Sequence, residues 1–140
     1  ALILLILPHA FRHIGLGFMV PGLVGDPLPG LFAGGAAYGD FAAGLLAILA
    51  LVALRSGWGW AIPLVWVFNV VGTADLLNAL RQVEAVPNLG VMWFVPTFIV
   101  PLLLVTHTMI FARLVKAARP VDIEALCAPN RRNPAATPNC

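Results

Sequence analysis

Residues 36–54, AAYGDFAAGLLAILALVAL, run for 19 positions with Asp40 as the single charged side chain. A helix that is apolar all round is a buried helix or a membrane span, and about 20 such residues cross a hydrocarbon core. Arg55-Ser56-Gly57 ends the run, and a second apolar stretch, residues 58–80, follows at once and closes at Arg81. So short a connection makes the two helices antiparallel neighbours.

Two more stretches of the same kind lie outside this pair. Residues 1–20 are apolar until Pro21-Gly22, and residues 91–114 end among Arg113, Lys116 and Arg119. The opening run carries no basic leader and no convincing small-residue cleavage site, so it reads as a span rather than a signal peptide. Residues 21–35 are rich in Pro and Gly and form a loop that folds back over the bundle. Pro87-Asn88 marks the turn before the fourth span. The expectation is an all-α membrane protein whose four transmembrane helices form an antiparallel up-down bundle over residues 1–119, with a polar cytoplasmic tail over 120–140.

Composition supports this class. Of 140 residues, 61% are hydrophobic and 10% charged, with a mean hydropathy of +0.95, whereas soluble domains are about a quarter charged. A soluble chain of this length buries only about 70% of its unfolded surface, too little to hide so much apolar area. The net charge of +2 and the absence of basic residues interleaved with aromatics give no footprint for nucleic acid. Cys127 and Cys140 both fall in the tail and form no CxxC or Cys/His ligand set, which removes thiol chemistry within the spans.

Basic residues orient membrane helices. Arg55, Arg113, Lys116, Arg119, Arg131 and Arg132 share one side, against Arg81 on the other. Both termini are therefore expected in the cytoplasm of a bacterial cell, with the chain in its inner membrane. Trp58, Trp60 and Trp93 fall at span ends, where indole rings favour the interface. Gly35, Gly39, Ala43 and Ala47 recur every four residues and give the second helix a smooth stripe for close packing. Pro63, Pro96 and Pro101 lie within spans, so neighbouring helices or hydroxyls must satisfy the carbonyls they free.

Polar residues inside apolar spans carry the functional signal. His9, Arg12 and His13 stand at i, i+3 and i+4, one face of an α-helix. A charge at the bilayer centre costs about 2.5–3.5 kcal/mol on insertion scales, so Arg12 needs a partner, and Asp40 and Asp75 share its level. Such a pair either fixes helix register or builds a site. Asp40 has a second reading as the N-cap of the second helix. On the third helix Asn69 and Thr73 share a face with Gly72, while Asp75 and Asn78 lie on another, making that helix central. Asn69 reads most simply as an interhelical hydrogen-bonding residue, and Thr97 and Thr108 as hydroxyls bonded back to their own helix.

His9 and His107 on facing helices could together ligate a tetrapyrrole metal, although their expected depths differ. His9 and His13 have two-ligand spacing but no HExxH pattern and no third ligand, so no zinc site is expected. The only serine, Ser56, sits in a turn, which leaves no serine hydrolase set.

Three function classes follow. The first is an accessory subunit, or a module binding a lipophilic ligand or cofactor, within a larger membrane assembly of other subunits or copies of itself. The second is a membrane enzyme performing acid–base chemistry on a lipid-soluble substrate with His9, Arg12, His13 and Asp75. The third is a proton or ion pathway along the same residues, disfavoured by the few charges on the cytoplasmic half.

Overall fold

The computed structural model describes residues 2–25, 30–81 and 87–118, and for residues 30–33 the backbone only. Four helical segments among them are long and apolar enough to cross a membrane. The first begins as α1, Leu2–Ile6, and continues as a 3-10 helix over Leu7–Met19. α2 spans Gly30–Arg55 and α3 spans Ala61–Leu80. The last segment is a 3-10 turn, Gly90–Trp93, then a π-helical stretch, Val95–Ile99, then α4, Val100–Ala118. The described residues contain no strand, only an isolated bridge between Pro21 and Val24.

The 3-10 segment is the unusual element. Such helices rise about 2.0 Å per residue, align residues i and i+3, and seldom exceed four residues, because their hydrogen bonds are poorly directed. Here one runs for 13 residues, and its buried positions are His9, Arg12, Gly15 and Phe18, each three apart. At that rise the segment is about 26 Å long. With α1 added at 1.5 Å per residue the first helical segment reaches about 33 Å, longer than a hydrocarbon core of about 30 Å. An 18-residue α-helix would reach only about 27 Å.

α2 packs against both the 3-10 segment and α3, while α1 and α3 pack against α4. Main-chain bonds tie the chain after the first span to the turn before the last: Gly25 N–H donates to Asn88 O at 2.9 Å and Val91 N–H to Leu23 O at 3.1 Å. α2 begins at Gly30, so part of the loop expected over residues 21–35 is helix. Asp40 therefore lies ten residues inside α2 and is no N-cap. The small-residue stripe is used within the chain. Ala43 and Ala47 are fully buried, and Gly44 faces the main chain of the first span at His9 and His13. Gly35 meets open space.

Pro96 stands at the second position of the π-helical stretch and Pro101 two residues past its end, each withdrawing an N–H from the helical ladder. Thr97 Oγ1 donates to Trp93 O at 2.9 Å and takes up one carbonyl there. The apolar core falls into two clusters. One gathers Phe18, Ala36, Leu76, Met92, Val95 and Leu103; the other gathers Ile6, Ala47, Val65, Phe68, Ile110 and Leu114. The buried polar residues His9, Arg12, Asn69 and His107, and with them Asp40 and Asp75, lie between these clusters in sequence.

Candidate functional site

Arg12 is 3% exposed and sits at the centre of the polar layer. Its Nε donates to Asp40 Oδ1 at 2.8 Å, its Nη1 to the Gly72 carbonyl at 3.2 Å, and its Nη2 to Asp75 Oδ2 at 2.5 Å. Nη2 also stands 2.7 Å from Asp40 Oδ1. One guanidinium thus joins the first span, α2 and α3, and most of its five N–H donors are consumed.

Small residues make this approach possible. A Cβ at Gly15 would overlap the Asp40 carboxylate, and one at Gly39 would overlap that of Asp75. A Cβ at Gly72 would stand 3.0 Å from Arg12 Nη1 and 2.8 Å from His107 Nε2. The three glycines are the seats of the three ionic side chains and of one imidazole.

A second polar group lies beside the first. His9 and His107 are both fully buried, with ring centroids 4.2 Å apart, and Phe68 packs against each. His107 Nδ1 meets Asn69 Oδ1 at 2.7 Å, and Asn69 Nδ2 donates back to the His107 carbonyl at 3.2 Å. His9 Nε2 meets Thr106 Oγ1 at 2.8 Å, while that hydroxyl donates to the Leu103 carbonyl at 2.8 Å. His9 Nδ1 and His107 Nε2 are buried with no hydrogen-bond partner among the described residues.

The expected site residues thus divide. Arg12, Asp40 and Asp75 come together, and Asn69, His9 and His107 form the adjoining layer. His9 and His107, expected at different depths, meet in the structure, with ring centroids 4.2 Å apart. Their rings touch, leaving no slot for a tetrapyrrole plane between them, and both free nitrogens are buried. His13 leaves the cluster: it is exposed, with Nδ1 3.3 Å from the Ala10 carbonyl. The cause is the 3-10 geometry, in which i+3 stays in line and i+4 turns about a third of a circle away. Asn78 is exposed as well, and Thr73 only donates to the Asn69 carbonyl at 2.7 Å within its own helix. Asp26, Glu84, Cys127, Cys140 and the tail from Pro120 lie outside the described residues.

Thr106, Gly15, Gly39, Gly72 and Phe68 are site residues that sequence reading missed. Their only signal was position: three glycines in apolar spans that hold the ionic residues, and a threonine next to His107.

Beside the ionic cluster opens a groove of about 200 Å³. Pro8, Phe11 and Ile14 of the first span form one wall, and Val95, Ile99, Leu102 and Leu103 the other. Arg12, Gly15 and Asp40 also line it. Phe11, Ile14 and Leu102 are exposed, so the groove opens sideways onto the apolar outer surface. No group of three or more His, Cys, Asp or Glu able to hold a metal ion occurs among the described residues.

No curated protein and no solved structure matches the chain. Residues 1–115, all four helical segments nearly to the end of α4, match the family model described as Domain of unknown function (DUF8737), and the chain belongs to that family.

Proposed function

We propose that the protein is a membrane-embedded binding module for an amphiphile whose polar end is a hydrogen-bond donor, a hydroxyl or an amine. In this reading the four spans form an up-down bundle in a bacterial inner membrane, with both termini cytoplasmic, and the module serves a larger assembly. The apolar surface supports the setting: Leu4, Phe98 and Phe11 are 74%, 66% and 60% exposed, side chains that lipid rather than water would cover.

The observation that carries the reading is the sideways groove with Asp40 and Arg12 among its lining. Pockets for drug-sized molecules occupy about 300–1,000 Å³, so 200 Å³ suits one end of a longer amphiphile, the rest lying in lipid. Charge selects that end. Two carboxylates face one guanidinium, leaving one negative charge in excess when both are ionised. The guanidinium donors are largely taken, whereas Asp40 Oδ2 accepts no hydrogen bond among the described residues. A donor head is favoured over an anionic one.

The acid–base enzyme reading has a histidine move the proton, and no histidine is among the residues lining the groove. The test is native mass spectrometry of protein purified in mild detergent, with Ile99→Trp filling the groove and the exposed Val105→Trp as control. A co-purifying amphiphile retained by wild type and Val105→Trp but lost from Ile99→Trp supports the reading. Equal retention in all three, or none in the wild type, contradicts it.

A further inference from the structure

The groove lies deep along the helices, and its depth bears on which donor-headed lipids can use it. Asp40 stands 15 residues before the end of α2 at Arg55, Asp75 14 residues after the start of α3 at Ala61, and Leu103 15 residues before the end of α4 at Ala118. At 1.5 Å per residue these are all about 21–22 Å. Arg12, reached through α1 and the first turns of the 3-10 segment, lies about 18 Å from Leu2. Ile6, Ala50, Val65 and Leu114 meet in one core cluster, so the four distances run from the same end of the helices. Toward the other end, only five residues of α3 follow Asp75, about 8 Å. In a hydrocarbon core about 30 Å thick, the polar end of a guest is then held about 10 Å below the nearer face.

We propose that the guest is an uncharged lipid alcohol, a long hydrocarbon whose polar end is one hydroxyl, and not a membrane phospholipid. This rests on the groove being an amphiphile site and narrows the occupant of that same site. A phospholipid carries an ionised phosphate that belongs in the headgroup region outside the hydrocarbon. To reach Asp40 the phosphate would have to sink about 10 Å, to a depth where charge is strongly disfavoured, and stop beside a carboxylate. The lining gives it no counter-charge. Arg12 is the only cation there, and it already serves Asp40, Gly72 and Asp75.

An alcohol meets each condition. A hydroxyl travels through hydrocarbon without a charge, and the mouth it passes is apolar, with Phe11, Ile14 and Leu102 exposed around it. Asp75 is not among the lining residues, so the groove offers one carboxylate, whose Oδ2 lies toward Gly15 and suits one O–H. A hydroxyl donating to an ionised carboxylate makes one of the stronger hydrogen bonds, which offsets the loss of its water. A primary amine suits Asp40 in detergent, but at neutral pH it is an ammonium ion and has to carry that charge in from the headgroup region. Within a bilayer the hydroxyl is the favoured head. Isoprenoid alcohols and diacylglycerols share this chemistry.

The experiment uses the full chain in phosphatidylcholine vesicles with one of two photoreactive probes at equal mole fraction. One is a long-chain alcohol with a diazirine in its chain, the other a phosphatidylethanolamine with the same group in an acyl chain. Mass spectrometry maps the crosslinked residues. The alcohol should label the groove walls at Phe11 and Ile99 more than about tenfold over the phospholipid, since bringing a charge to that depth costs more than one factor of ten. Unlabelled geranylgeraniol or dioleoylglycerol should displace it, and the more effective competitor identifies the kind of alcohol. Ile99→Trp should abolish groove labelling and Val105→Trp leave it unchanged, while displacement from the wild type gives an answer even where Ile99→Trp fails to fold. Equal or stronger groove labelling by the phospholipid would overturn the choice of lipid and leave the amphiphile reading standing. Groove labelling by neither probe, or labelling that no unlabelled alcohol displaces, would overturn both.

Discussion

Arg12 reaches Asp75 across 63 residues of chain, its Nη2 donating to Asp75 Oδ2 at 2.5 Å, and the same nitrogen stands 2.7 Å from Asp40 Oδ1. Removing one partner of a buried ion pair costs about 3–5 kcal/mol because the other charge is stranded, whereas removing all partners together costs far less. Arg12→Leu should therefore destabilise the detergent-solubilised protein by about that amount. Arg12→Leu combined with Asp40→Asn and Asp75→Asn should recover most of the loss. Denaturant titration of the variants reads this directly, and a triple variant no more stable than Arg12→Leu would show that the cluster contributes more than mutual charge compensation.

The carboxylate seats give a second test. A methyl group forced into a filled site costs about 1–3 kcal/mol. Gly15→Ala and Gly39→Ala should each lose about that much, since their new Cβ atoms overlap the Asp40 and Asp75 carboxylates. Gly35→Ala, which meets open space, should be neutral or slightly stabilising. Equal stability of all three in the same titration would argue against the seats.

How far the sequence could be read is clearest at these positions. Charge in an apolar span demands compensation, so Arg12, Asp40 and Asp75 could be linked from sequence, and the four long apolar segments were visible from their length. His13 could not be placed, because its position depends on the 3-10 winding of Leu7–Met19. That winding follows no local propensity rule: it is held by tertiary contacts, the Arg12 bonds and the approach of Gly15 to Asp40. The meeting of His9 with His107 was hidden as well, because it depends on how the first and last helical segments pack, which no local pattern shows. Thr106 was hidden because a threonine bonded to its own helix looks the same whether or not its oxygen also accepts from a histidine.

Winding predicts different behaviour for two histidines four residues apart. His13→Leu should change stability by less than about 0.5 kcal/mol, as expected of an exposed position. His9→Leu should cost more, because it leaves Thr106 Oγ1 without its imidazole donor and opens the contact with His107. A nitroxide label replacing His13 should be mobile and one replacing His9 immobilised. Equal mobility at the two positions would contradict a three-residue repeat.

Orientation is tested by reporter fusion. The proposed up-down arrangement puts Arg55, Arg113 and Lys116 on one side, so a reporter fused after Lys116 should be active in the cytoplasm. Activity only in the periplasm would reverse the proposed topology.

The most direct test of the proposed function is the sign of the headgroup the groove prefers. Purified protein in a non-ionic detergent is titrated with dodecanol, dodecylamine and dodecanoate at neutral pH, reading displacement of a groove-bound fluorescent amphiphile. The excess carboxylate of the Arg12–Asp40–Asp75 cluster predicts that the amine and the alcohol bind more tightly than the carboxylate. Asp40→Asn should remove the preference for the amine, and Ile99→Trp should abolish binding of all three. Tighter binding of dodecanoate, or binding indifferent to both substitutions, would contradict the account.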